Sequence, residues 1–267
     1  MRVGNDPRIS CLTTSAITLW LLGHPDRAAE RANAALSLAA ELEHPFTSAY
    51  ASFHAGLVRL WRREPEIALD LAVGLRDLAE EHEFRIWIAV GGVLTGFAQV
   101  DLGRFQEGLA SIRSGMGLYG ELRSPPIFWP FLQWLHARAC VRAGRPADGL
   151  ASLDTAIEIL SPGRGVSVLP ELYLVKGDTL ASMASADGRD PAPAAAWYQR
   201  AIDRAGQLDA RMAQLRAATR LARLGQLDDE AGAAKRVLRA VYDTFAEGLD
   251  LPDLVEAREV LAGSSSG

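Results

Sequence analysis

The sequence predicts an all-α fold, a right-handed superhelical solenoid of about six helical hairpins with a C-terminal capping helix. Six small residues, Ala16, Gly56, Gly96, Ala137, Gly177 and Ala217, recur at intervals of 40, 40, 41, 40 and 40. A second series, Ala28, Ala68, Gly108 and Gly149, runs beside it at intervals of 40, 40 and 41. Helix-stopping and helix-starting residues stand together at matching intervals, and strand-like alternation of apolar residues is absent. Such self-similarity marks stacked units, each too small to bury its apolar face alone. Two series imply two helices per unit, with two places where backbones approach closely. A leucine at Gly96 or Gly177 is expected to force neighbouring helices apart, at ~1–3 kcal/mol for overpacking.

Each unit reads as helix, tight turn, helix, looser turn. The tight turns fall at Gly23-His24-Pro25, Glu64-Pro65, Gly103-Arg104 and Gly144-Arg145-Pro146, and again near Gly225. There glycine supplies the left-handed residue that ends one helix, and proline occupies the first turn of the next, where its missing N–H costs nothing. The looser turns fall near His44-Pro45, His82-Glu83-Phe84, Ser124-Pro125-Pro126, Gly163-Arg164-Gly165 and Asp209. Between these marks apolar residues keep helical spacing, as in Ala28, Ala32, Ala35, Leu36 and Ala39. The hairpins are expected over 9–44, 45–83, 84–124, 125–164, 166–209 and 211–247, all in one domain, 1–262. In the fifth, Ser185 to Pro191 reads as a longer polar turn between its two helices. A last helix, 252–262, carries Asp253, Glu256, Arg258 and Glu259 on one side and Leu254, Val255 and Leu261 on the other, which suits a cap on the open end of the core. Residues 263–267 read as a flexible tail.

Composition narrows the function classes. With 49% hydrophobic residues the chain has enough apolar surface for a continuous core. A net charge of -5, from 28 basic and 33 acidic residues interspersed along the chain, offers no basic stripe for a phosphate backbone, and no run of arginines forms a binding motif. No direct nucleic-acid partner is expected. Neither a signal peptide nor an apolar window of membrane-spanning length is present, so a cytoplasmic location is expected, with no membrane partner. Cys11 and Cys140 lie far apart within apolar helical patterns and read as small buried hydrophobes.

The chemical motifs are weak. Gly115-Met116-Gly117-Leu118-Tyr119-Gly120 matches G-x-G-x-x-G, but that fingerprint needs a preceding strand and a helix start. Here it falls late in a helical pattern and reads as helix packing. His24, His44, His54, His82 and His136 never take metal-ligand spacing. No catalytic residue, metal or cofactor is therefore assigned, and the chain is not expected to be an enzyme. Aromatic residues crowd the first helices instead. Counted from the small-residue series, the concave face would carry Trp20, Tyr50, Phe53, Phe97, Phe131, Trp134, Arg138, Glu171, Asp178, Arg211 and Gln214. The candidate groove is Tyr50, Phe53, Phe97, Phe131, Trp134, Arg138, Glu171 and Asp178, with Trp134 and Arg138 one turn apart as the first choice. The competing reading packs these side chains into the core between units.

The Gly23 to Ala28 pattern resembles tetratricopeptide (TPR) repeats with slightly longer helices. More specifically, Asp6-Pro7, Leu19 to Ala28, His44-Pro45-Phe46, Glu171 to Gly177, Arg216-Ala217-Ala218, Leu221 to Leu224, Val241-Tyr242, Phe245 to Asp250 and Asp253-Leu254 resemble the C-terminal repeat region of large bacterial signalling proteins. Those proteins also carry a class III adenylate or guanylate cyclase domain and an AAA-type ATPase module. The resemblance implies a sensory or interaction end whose chemistry resides in other modules, so no catalytic residue is carried over. Two binding functions are open: recognition of a peptide segment or partner domain on the concave face, or sensing of a small ligand that controls an upstream cyclase or ATPase module.

Overall fold

A computed structural model describes residues 6–122, 128–160, 166–225 and 231–263. Among them are thirteen α-helices and no strand. Pairs are formed by α1 (Pro7–Leu21) with α2 (Pro25–Leu42), α3 (Pro45–Trp61) with α4 (Pro65–Glu81), and α5 (Arg85–Asp101) with α6 (Phe105–Glu121). They continue with α7 (Trp129–Arg142) and α8 (Pro146–Leu160), α9 (Leu169–Asp187) and α10 (Ala192–Gln207), then α11 (Arg211–Leu224) and α12 (Ala231–Tyr242). The last helix, α13 (Pro252–Ala262), packs on α11 and α12. The turns expected at 124–126 and 163–165, and most of the tail, lie outside the described residues.

Local chemistry sets the helix ends. Proline opens α1, α2, α3, α4, α8 and α13, where its fixed φ suits the first turn. The tight turns close through left-handed glycines, Gly23 (φ 84°), Gly103 (81°) and Gly144 (70°). In the second unit the same place is taken by Arg63, at φ 59°. The polar turn expected at 185–191 is shorter than that. Helix α9 runs on to Asp187 and ends at a left-handed Gly188, so the added residues lengthen a helix.

The small-residue series mark where helices touch. A Cβ on Gly108 would stand 2.5 Å from the Gly96 carbonyl oxygen, and one on Gly149 would stand 2.9 Å from the Ala137 Cα. Within a unit, the two series face each other across the hairpin. Even-numbered helices each bury one narrow stripe, such as Ala68, Ala72, Leu75 and Ala79 on α4. Odd-numbered helices are buried on several sides because each touches its hairpin partner and the odd helices before and after it. Gly115 lies in this packing: a Cβ there would stand 2.5 Å from the Ala89 carbonyl oxygen, so the G-x-G-x-x-G stretch is part of α6 and its first glycine is a contact point with α5.

The solenoid closes on itself. The odd helices touch in series from α1 to α11, and α11 also touches α1. The carboxylate of Glu247 accepts the backbone N–H groups of Asp26 (3.1 Å) and Arg27 (3.2 Å) in the first turn of α2, where partial positive charge favours an anion. Gly248 N–H donates to Asp26 Oδ2 at 2.9 Å, and Arg62 pairs with Asp26 Oδ1 at 2.9 Å. One apolar cluster runs through the ring from Ala16 to Val260. Among the described residues no helix is long and apolar enough to cross a membrane.

Candidate functional site

Ring closure brings the inner faces of the odd helices together. Their aromatic part joins Tyr50, Phe53, Trp87, Phe128, Phe131 and Trp134 edge to face or tilted, with Phe53 and Phe131 6.0 Å apart and Phe131 and Trp134 5.4 Å apart. Phe53, Phe97 and Trp134 are buried, Tyr50 and Phe131 half-buried. Helical spacing brings the proposed aromatic set together, but inside the packed ring; an open groove is not what these three line. Trp20 stacks on Trp61 at 5.7 Å on the far side of the closure.

A charged part follows. Arg216, 8% exposed, gives Nε to Asp253 (2.6 Å), Nη1 to Glu171 (3.0 Å) and Nη2 to the Trp61 carbonyl oxygen (3.2 Å), with its guanidinium over the Trp20 ring. Asp253 also pairs with Arg63 (2.8 Å). Glu256 pairs with Arg63 (2.5 Å), Arg220 (3.1 Å) and Arg223 (3.3 Å). Asp178 accepts from Tyr198 (2.8 Å) and pairs with Arg220 (3.3 Å). Burial opposes ionisation of Asp253, but Arg216 and Arg63 outweigh it and hold the carboxyl below its ordinary range. Glu256 is lowered in the same way, burial being overcome by Arg63 and Arg220. The acidic side of α13 therefore reaches inward: Asp253 is buried and Glu256 half-buried, and only Arg258 of the four is exposed.

Between these parts lies a cavity of about 460 Å³, lined by Arg63, Asp101, Arg138, Arg142, Asp178, Tyr198 and Arg220 together with Pro65, Val141, Val175 and Ala181. The Arg138 guanidinium carbon sits 4.9 Å from the ring centres of both Phe97 and Trp134. Its Nη1 is buried and makes no hydrogen bond. Burial lowers the pKa of Arg138, with nearby Asp101 opposing that shift. Asp101 is raised by burial, against the pull of Arg138 and Arg142; its Oδ1 lies 2.6 Å from Arg142 Nε. Arg142 is half exposed and marks the mouth of the cavity.

Of the eight candidate groove residues, Phe97, Trp134 and Arg138 form one stacked unit, while Arg138 and Asp178 line the cavity. Glu171 lies with Arg216 instead. Arg63, Asp101, Arg142, Tyr198, Arg216, Arg220, Asp253 and Glu256 were not among the groove residues read from the sequence. One signal was present: Arg63 occupies the slot filled elsewhere by Gly23, Gly103 and Gly144, and a left-handed arginine costs about 1 kcal/mol.

Other single residues have packing roles. His54 Nδ1–H donates to the Tyr50 carbonyl oxygen (2.8 Å), and His136 meets Ser152 Oγ (2.9 Å). Cys140 is buried, its thiol pushed up to about 11 by burial, whereas Cys11 is exposed, contrary to expectation, because it faces away from α2 and α3 at the free edge of α1. Among the described residues no group of His, Cys, Asp and Glu is arranged to hold a metal ion.

No family model and no curated protein matches this chain. Among solved structures it is similar to Bacillus thuringiensis PlcR in complex with the peptide PapR7 and DNA, over 78% of this chain and 74% of that one, with TM-score 0.59 and 15% identity. A putative kinesin light chain of nearly identical TPR-like repeats from Podosopora anserina covers 97% of this chain and 98% of its own at TM-score 0.44 and 13% identity. The complex of the yeast Sti1 TPR2AB domain with pHSP90 gives the same coverage at TM-score 0.39 and 15% identity. The likeness to PlcR is one of fold: this chain is an all-α solenoid of TPR-like hairpins.

Proposed function

We propose that the chain is a non-catalytic recognition module whose inner cavity takes the end of a peptide segment from a partner protein. The observation that carries this reading is the cavity itself. Convergent charged groups and one tyrosine stand on a ring of helices beside apolar walls, in a volume suited to a small group and too small for a folded domain. PlcR, of similar fold, forms its complex with a peptide. The resemblance to cyclase- and ATPase-bearing signalling proteins supports placing such a module in bacterial signalling, in the cytoplasm, with an upstream cyclase or ATPase as the output.

The convergent polar groups of the cavity favour a second reading, a small-ligand sensor, since a ligand held among six helices would alter their spacing. Binding of a short-peptide library to the full chain tests the first. Phe131→Ser, on the inner face, should weaken peptide capture several-fold, while Val73→Ser, exposed on α4, should leave it unchanged. Capture that responds equally to both variants, or its absence from the intact chain, refutes the peptide reading.

A further inference from the structure

We infer that the cavity is a site for a neutral carboxamide, whose oxygen accepts from Arg138 and whose N–H donates to Asp101. The inference goes beyond the peptide reading, since the carboxamide belongs equally well to a free small molecule or to an Asn or Gln side chain of a bound peptide.

Two residues of the lining each carry a buried atom without a hydrogen bond, and the two atoms are of opposite sense. Arg138 Nη1 donates and accepts nothing, whereas Asp101 Oδ1, as a carboxylate oxygen, accepts and donates nothing. After burial, the largest influence on the ionisation of each is the charge of the other, so they are close neighbours. Among the described residues no ion pair joins them. Asp101 Oδ1 stands 2.6 Å from Arg142 Nε in a contact that is no hydrogen bond, and Arg138 lies against the rings of Phe97 and Trp134. The other polar groups of the lining are engaged: Tyr198 donates to Asp178, Arg63 holds Asp253 and Glu256, and Arg220 holds Asp178 and Glu256. A buried donor and a buried acceptor left unbonded are each costly, and one small group that carries both an acceptor and a donor removes both costs.

Charge disfavours an ionic ligand. Arg63, Arg138, Arg142 and Arg220 are matched by Asp101 and Asp178 in the lining and by Asp253 and Glu256, which reach Arg63 and Arg220 from α13, so the surroundings carry no net charge. An anion would gain Arg138 but face Asp101, a cation would do the reverse, and either would leave water without a compensating charge. A carboxamide brings no charge and offers its acceptor and its donor in one plane, which suits a guanidinium whose own plane is set by two aromatic rings. A single water would also offer both bonds, but the cavity of about 460 Å³ far exceeds the ~30 Å³ share of one water. Pro65, Val141, Val175 and Ala181 supply apolar wall for the hydrocarbon that carries the amide.

The test uses the full chain and three probes of one shape and different charge, benzamide, benzoate and benzamidine, with N,N-dimethylbenzamide as the analogue that lacks the donor; calorimetry or ligand-observed nuclear magnetic resonance reads binding. Benzamide should bind the wild type about tenfold or more tightly than each of the other three, the worth of one hydrogen bond to a charged group. Arg138→Met leaves one net negative charge and should rank benzamidine above benzamide, whereas Asp101→Asn leaves one net positive charge and should rank benzoate above it. The comparison within the wild type stands by itself if either variant does not fold. Short peptides bearing Asn or Gln, each beside its Asp or Glu counterpart, separate the sources. Amide peptides that outbind their acid counterparts and compete with benzamide assign the carboxamide to a peptide; benzamide binding that no such peptide displaces assigns it to a free small molecule. Peptides bound equally as amide and acid, without competition from benzamide, overturn the carboxamide site and leave the peptide module standing. Binding of benzoate, benzamidine or N,N-dimethylbenzamide to the wild type as tight as that of benzamide, an unchanged order of probes in both folded variants, or no binding of benzamide or any amide peptide at millimolar concentration also overturns the inference.

Discussion

Substituting alanine at Gly96 probes the contact that sets the spacing of α5 and α6. The new Cβ would lie 2.8 Å from both the backbone N and Cγ1 of Ile112, and nearer still to the Gly108 carbonyl oxygen. Backbone atoms of a packed helix cannot swing aside as the end of a flexible side chain can, so the two helices must separate by about 1 Å to restore ordinary contact. Overpacking of this kind costs ~1–3 kcal/mol, and the upper end applies because two of the three atoms struck are backbone. Alanine in place of glycine inside a helix returns ~1 kcal/mol, leaving a net loss of ~1–2 kcal/mol. Gly117, on α6 with no atom within 4 Å of its missing Cβ, is the control, and Gly117→Ala should gain ~0.5–1 kcal/mol. Urea midpoints followed by far-ultraviolet circular dichroism measure both. Equal shifts in the two variants, or a Gly96→Ala midpoint at or above the wild type, would refute the close-contact argument.

Removing Arg216 by Arg216→Met leaves Glu171 and Asp253 buried without their shared cation, which should cost ~3–5 kcal/mol and lower the urea midpoint accordingly. Burial pushes His54 down to about 4; the unfolded imidazole, near 6.5, binds more protons between those values, so stability should fall by ~2–3 kcal/mol as pH drops from 6.5 to 4, a slope that His54→Gln should reduce in pH-resolved urea titrations, leaving the part due to His24 and His136, which burial also lowers. Asp253 and Glu256, lowered in the folded state, stabilise above the ordinary carboxylate range and should add a second loss below about pH 4 that His54→Gln does not remove. Glu247→Ala deletes an acceptor from the first turn of α2 and should cost ~0.5–2 kcal/mol, with faster hydrogen exchange at Asp26 and Arg27 as the local readout.

The hairpin rhythm was legible because its cause is local. Gly108 must be small since Gly96 lies against it, and the pairs 16/28, 56/68, 96/108 and 137/149 keep one separation within each hairpin. Tyr198 shows the limit of that rule. It takes the place on α10 held by Ala32 on α2 and Ala72 on α4, and its ring lies over Gly177, so the glycine there accommodates an aromatic ring rather than a backbone. Ring closure was not legible, because it depends on rotation summed over six units, and no single residue encodes that sum. The blocks at the two ends that carried the family resemblance, Leu19 to Ala28 and Phe245 to Asp250, are nonetheless the ones the closure joins, through Gly23 against Phe245 and Asp26 against Gly248. The site followed the same division. Trp134 and Arg138 are neighbours on one helix and could be paired by spacing, whereas Arg63, Arg220 and Glu256 meet only once the ring has closed.

Closure and cavity therefore share side chains, and the sharing explains why Arg138 is the arginine left without a bonded acceptor. Arg63 and Arg220 line the cavity but bond to α13, so their charge already holds the last helix to the ring. Their acids are not equally dependent on them. Glu256 has three arginine partners and Asp253 has two, so either acid could lose Arg63 and keep at least one charged donor. Arg138 has no such second duty. Its aromatic neighbours contribute ~0.5–2 kcal/mol each at most, less than a buried guanidinium loses in hydration, and its position is imposed by α7, whose buried Trp134, Leu135, Ala137 and Cys140 fix the helix in the core. The ring holds the charge in place because the surrounding packing fixes the helix that carries it.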